Sequence, residues 1–97
     1  MLYLIHRSIE AAHRHGKPAI VCGEMASDPN LTPLLLGFDV DELSCTPPAL
    51  PMVRSAVRHT SLPQARELAR AVLAATTLDE VQDLIKQYHQ SEQADKA

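Results

Sequence analysis

Tryptophan is absent from this chain, phenylalanine occurs once and tyrosine twice. Any core must therefore be aliphatic, and leucine, valine, isoleucine and alanine are present in sufficient number. Excess positive charge is missing too: the formal net charge is −3, and lysines and arginines are scattered among acids. That leaves no electrostatic footprint for nucleic acid. No apolar run approaches the ~20 residues needed to span a bilayer. The amino terminus lacks the basic, apolar and small-residue order of a secretory signal. Neither nucleic acid nor membrane is expected as a partner, and a cytoplasmic location is expected. Cys22 and Cys45 come without a CxxC pair and without histidine at zinc-finger spacing. They make no zinc site. In a cytosolic chain both remain free thiols. With 97 residues the chain is one domain at most.

What is present is organised as helix, strand, helix, strand and closing helices. Leu2, Ile5, Ile9 and Ala12 recur at helical spacing, with His6, Arg7, Glu10, His13 and Arg14 largely on the other side. This predicts an amphipathic helix over 2–15, capped by Gly16. Ala19 to Cys22 is a continuous apolar run, the mark of a strand buried on both faces of a parallel sheet. A loop then leads to a short helix with Asn30 as N-cap, Pro33 in its first turn, Leu34 to Leu36 packed inward and Gly37 closing the turn. A second strand is expected over 40–44, with enough chain between the two for a parallel crossover. Pro47, Pro48 and Pro51 mark a stiff loop, and Pro51 opens a helix to about His59. Ser61 with Gln64, and Thr77 with Glu80, form capping boxes. The first of these helices carries Ala65, Leu68, Ala69, Val72 and Leu73 on one face. The second carries Leu78, Val81, Leu84, Ile85 and Tyr88. A domain over 1–90 followed by a disordered polar tail, 91–97, is expected.

The stretch from Val21 to Pro29 holds the chemistry. It sets a thiol where a strand ends and a loop begins, and ligands of α/β folds bind at the carboxyl ends of strands. Taken alone, a cysteine closing a strand is more often a small buried hydrophobe. A free thiol ionises near pH ~8.5, so it is protonated at neutrality yet gives up its proton without a large penalty. That suits a general acid. Glu24 could orient the loop by accepting backbone N–H groups, or it could be a solvated loop acid. Asp41 and Glu42 fall within the second strand and make poor metal candidates. His13 and His15, two apart on a helix, point away from each other and cannot share a metal. Arg14, His15 and Lys17 suit a helix carboxyl end, where the dipole favours cations.

Five words then come in order: Glu10-Ala11-Ala12-His13-Arg14-His15-Gly16-Lys17, Cys22-Gly23-Glu24-Met25-Ala26, Pro33-Leu34-Leu35-Leu36-Gly37, Val40-Asp41-Glu42-Leu43-Ser44 and Pro47-Pro48-Ala49-Leu50-Pro51. On these, residues 11 to about 84 resemble the end of the phosphoenolpyruvate-binding barrel of phosphoenolpyruvate–protein phosphotransferase, Enzyme I of the bacterial sugar phosphotransferase system. Pyruvate phosphate dikinase and phosphoenolpyruvate synthase are looser relatives. The resemblance implies an α/β fold, a partial TIM barrel of about the last two βα units, with two short parallel strands and closing helices. A whole barrel needs about 200 residues or more. It also implies that Cys22 protonates the enolate carbon as pyruvate forms, with Gly23 and Glu24 beside the substrate. Two positions depart from the family pattern, with Ser27 and Asp39 standing where it has glycine. If the second of these needs positive φ, aspartate is among the less costly replacements.

In the complete enzyme the resemblance implies Mg²⁺, held by carboxylates on other strands, and a phosphorylated histidine in a separate upstream domain. Partners would be phosphoenolpyruvate or pyruvate and a phosphocarrier protein, in a homodimer or higher oligomer. Binding so charged an anion takes arginine forks and a divalent ion. Arg7, Arg14, Arg54, Arg58, Arg66 and Arg70 all lie on predicted helices. The chain thus holds the acid but not the grip, and alone it is expected to be inactive. A rival reading is a stand-alone α/β interaction module that uses its unpaired strand edges to self-associate or to pair with a full-length barrel. A thiol switch at Cys22 ranks last, since no basic residue adjoins it in sequence.

Overall fold

The computed structural model describes the backbone of residues 2–96 and the side chains of residues 2–91. Helix α1 spans Leu2–Arg14, strand β1 Ile20–Cys22, helix α2 Thr32–Gly37 and strand β2 Glu42–Ser44. A single 3₁₀ turn at Pro47–Ala49 precedes α3 (Leu50–His59), α4 (Leu62–Ala74) and α5 (Leu78–Lys96). The strands pair in parallel, with Ile20 opposite Glu42, Val21 opposite Leu43 and Cys22 opposite Ser44. The chain is therefore α/β, mostly helical, with two parallel strands, an arrangement compatible with part of an α/β barrel. No helix among the described residues is long and apolar enough to cross a membrane.

The core joins Ile9 of α1, Ala19, Leu34, Leu35 and Phe38 around α2, and Leu68, Ala69 and Val72 of α4. Leu34 and Leu35 are fully buried, and each contributes about 1.5–3 kcal/mol by leaving water. Helix α2 lies directly on α4, and glycine makes the approach possible. A Cβ built on Gly37 would overlap the Ala65 carbonyl oxygen and sit 2.9 Å from Ala69 Cβ. Gly37 is thus a packing residue inside the helix, not the residue that closes the turn. Closure falls to Asp39, whose φ is 65°. Its N–H donates to the Leu36 carbonyl at 3.0 Å, and the Val40 N–H donates to that of Leu35 at 3.4 Å. Helix α1 ends the same way at Gly16 (φ 68°), with Gly16 N–H to the His13 carbonyl at 3.0 Å and Lys17 N–H to that of Ala12 at 2.9 Å. Both are left-handed caps that satisfy orphan carbonyls. Aspartate tolerates the conformation, as the reading of Asp39 anticipated, and Arg66 holds its carboxylate at 3.2 Å.

Several expectations are corrected. The strands are not buried on both faces. Val21 and Leu43 are half-buried, whereas Ile20 (55% exposed), Cys22, Glu42 and Ser44 are open. The apolar run is real, but among the described residues only one face of the pair is packed. Asn30 does not cap α2: the helix begins at Thr32 with Leu31 before it, and the Asn30 N–H is taken by Asp28 Oδ1 at 2.9 Å. Pro33 does fall in the first turn. Ser61 precedes α4 but makes no side-chain cap bond. At α5 the box is split. Thr77 Oγ1 accepts from the Glu80 N–H at 3.2 Å, while the Glu80 carboxylate reaches past it to the Thr76 N–H at 2.9 Å. Leu78 is exposed rather than on the packed face. His6 does not face away either; its ring lies 5.1 Å from that of Phe38. Helix α5 continues through Lys96, past the expected start of a frayed tail at 91. Its Glu, Gln, Ala and Lys residues favour helix without needing a buried stripe. Residue 97 and the side chains from 92 onward lie outside the described residues.

Candidate functional site

Because β1 and β2 run parallel with Cys22 opposite Ser44, both strands end at one level. The loops leaving them, Gly23 onward and Cys45 onward, form a shared rim. Gly23 turns the chain there with φ 88°, a conformation that most side chains avoid. The Cys22 thiol is exposed at this rim. Met25 and Ala26 tuck beneath the loop, Ala26 fully buried, so the loop is anchored from below.

Ser27 ties the rim together. Its N–H donates to the Gly23 carbonyl at 3.2 Å and to the Glu24 carbonyl at 3.1 Å. Its hydroxyl donates to the Gly23 carbonyl at 3.0 Å and accepts from the Thr46 N–H at 3.0 Å. The second contact crosses from one strand-end loop to the other. Asp28 continues the fold, its backbone carbonyl accepting from Leu31 N–H at 3.0 Å and from the Thr32 hydroxyl at 3.4 Å. The loop-orienting task suggested for Glu24 is therefore done by Ser27; the Glu24 side chain is exposed and outside this network. Cys22, Gly23 and Glu24 are contiguous on the rim.

Asp41 lies at the other end of the sheet, just before β2. Its Oδ2 accepts from the Ala19 N–H at 2.7 Å and sits 2.8 Å from His13 Nε2. In return the Ala19 carbonyl accepts from Asp41 N–H at 2.9 Å. The Ala19 N–H, and after it His13, hold the Asp41 carboxyl below the usual carboxylate range. This clasp joins the end of α1 to the start of both strands, and neither it nor the Ser27 bridge was read from the sequence. A charged residue opening a strand and a hydroxyl four residues after a glycine were the only local signs.

The resemblance places Mg²⁺ on carboxylates of other strands, and among the described residues no three His, Cys, Asp or Glu side chains gather where they could hold a metal ion. Asp41 is committed to Ala19 and His13 at the end remote from Cys22. The arginines are all on helices: Arg7 and Arg14 on α1, Arg54 and Arg58 on α3, and Arg66 and Arg70 on α4. Cys45 is half-buried and lines a groove of about 490 Å³ between β2 and α3, where Leu43 and Val53 lie beside the charged Asp41, Glu42, Arg54 and Arg58.

Residues 1–62 match the family model described as PEP-utilising enzyme, PEP-binding domain, and the chain belongs to that family. Among its relatives, the phosphoenolpyruvate-protein phosphotransferase of Buchnera aphidicola subsp. Schizaphis graminum is 39% identical over 88 residues, 91% of this chain and 15% of that protein. The protein of the same name from Haloferax volcanii is 41% identical over 85 residues, 88% of this chain and 15% of the relative. The multiphosphoryl transfer protein of Escherichia coli O6:H1 is 36% identical over 84 residues, 87% of this chain and 10% of its own length. The chain thus spans about 15% of the length of the phosphotransferases it matches.

Proposed function

We propose that this chain is the part of a phosphoenolpyruvate-dependent protein phosphotransferase that supplies the last two βα units and closing helices of its phosphoenolpyruvate-binding barrel, and that Cys22 is the acid that completes pyruvate. The observation that carries this reading is the exposed thiol at the carboxyl end of β1, level with the end of β2. The uncovered sheet face bearing Ile20 and Cys22 is the side on which further barrel strands would lie.

The phosphoryl group leaves the enol oxygen of phosphoenolpyruvate for a histidine nitrogen elsewhere in the enzyme, breaking P–O and forming P–N. The enolate left behind takes the Cys22 S–H proton at its terminal carbon, and the C–O bond becomes a carbonyl. The thiolate recovers a proton from water. In the complete enzyme, Mg²⁺ and the arginines that grip the anion come from residues outside this chain, and a phosphocarrier protein receives the phosphoryl group. Gly23 and Glu24 border the substrate.

The test is a chimera in which this chain replaces the matching segment of the Buchnera (Schizaphis graminum) phosphotransferase. Pyruvate formation is expected to persist, and Cys22→Ala to lower it by roughly 10²–10⁴-fold, the usual worth of a general acid. The isolated chain with phosphoenolpyruvate is expected to yield none. A Cys22→Ala chimera as fast as its parent overturns the proton-donor role, and turnover by the isolated chain overturns the need for the missing residues.

A further inference from the structure

We infer that Ser27 is a positioning residue for Cys22, acting by bridging the two strand-end loops through its hydroxyl. A serine hydroxyl offers one donor and two acceptor sites. Here the donor goes to the Gly23 carbonyl at 3.0 Å and one acceptor site takes the Thr46 N–H at 3.0 Å. Gly23 is the residue immediately after the thiol, and with φ 88° it turns the chain out of β1 there. Fixing its carbonyl fixes that turn, and anchoring the fix to Thr46 references it to the other strand-end loop. Ser27 itself has an ordinary negative φ, since Asp39 is the one non-glycine residue at positive φ among those described. The backbone therefore does not call for glycine at this position, and the hydroxyl is free to serve as the bridge.

This inference deepens the proposed role of Cys22 and rests on it for its catalytic meaning, because small displacements of a reacting group can lower a rate by about 10²-fold. The experiment separates the two. In a Cys45→Ala background, Ser27→Ala and Ser27→Thr are compared with the parent by amide exchange at Thr46 and by Cys22 alkylation from neutral to alkaline pH. Ser27→Ala is expected to speed Thr46 exchange by roughly 5–10-fold, the worth of one lost hydrogen bond, and to shift the pH profile of alkylation. Ser27→Thr keeps the hydroxyl and is expected to restore both. Unchanged Thr46 exchange and an unchanged alkylation profile in Ser27→Ala overturn the inference. So does a Ser27→Thr protein that behaves like Ser27→Ala. These readouts report the thiol's placement whether or not it donates a proton, whereas the Cys22→Ala chimera tests donation alone.

Discussion

Replacing Gly37 with alanine sets a sharp test of the core. The new Cβ would overlap the Ala65 carbonyl oxygen and lie 2.7 Å from the carbonyl carbon and 2.9 Å from Ala69 Cβ. A carbonyl on a helix backbone cannot rotate aside as a side-chain tip can, so α4 must move off α2. Moving it disturbs Leu68, Ala69 and Val72, all in the core. Overpacking commonly costs about 1–3 kcal/mol, and alanine returns somewhat under about 1 kcal/mol of helix propensity near a helix end. With backbone as the obstacle the cost falls at the top of that range, and a net loss of about 2 kcal/mol is expected. For a domain of this size that lowers the melting temperature by roughly 8–16 °C. Gly16→Ala is the control. Nothing lies within 4 Å of its Cβ, but its φ is 68°, so only the left-handed backbone penalty of about 1–2 kcal/mol applies. Urea unfolding followed by circular dichroism at a constant m-value orders the two. A Gly37→Ala protein as stable as Gly16→Ala, or more so, refutes the packing argument.

Further outcomes follow from the caps, the clasp and the site. Thr77→Ala is expected to cost about 1 kcal/mol, because Thr77 accepts from the Glu80 N–H. Ser61→Ala is expected to change urea stability by under about 0.5 kcal/mol, since Ser61 makes no side-chain cap bond. The folded pKa of Asp41 lies below its unfolded value of about 3.9. The unfolded chain therefore binds the proton first, and stability present above that pH is lost as pH falls through the lower folded value. Acid titration of Asp41→Asn is expected to show a shallower loss in this window than the parent, and an equal slope removes the clasp from the account. At the site, the Cys22→Ala chimera and the Ser27 series provide the functional measurements described above.

Much of the fold was legible because its signals are local. The apolar run from Ala19 to Cys22, the proline at the start of α2 and the glycine after α1 each fix a feature within a few residues. Gly37 was misread because its reason lies on α4, twenty-eight positions away at Ala65, where sequence offers no periodicity to read. Asp39 was legible only as a tolerated substitute for glycine, and its φ of 65° shows why the substitution works. The two capping boxes had equal patterns and unequal outcomes. At α4 the Ser61 side chain makes no cap bond, and at α5 Thr76 takes the Glu80 carboxylate. At the site, the placement of Cys22 at a strand end was readable, as was the restriction of arginine to helices. The Ser27–Thr46 contact was not. It spans nineteen residues between loops, and no residue preference announces a bond of that kind.

The seating of α2 on α4 through Gly37 has a consequence for how this segment can change over time. The apolar interior is concentrated in those helices, while the rim bearing Cys22 and Thr46 hangs from strands only three residues long. The exposed rim side chains of Cys22, Glu24 and Thr46 can be exchanged with little disturbance to the interior. The segment is therefore organised as a durable mount carrying a replaceable tip, and selection can retune the tip without rebuilding the mount.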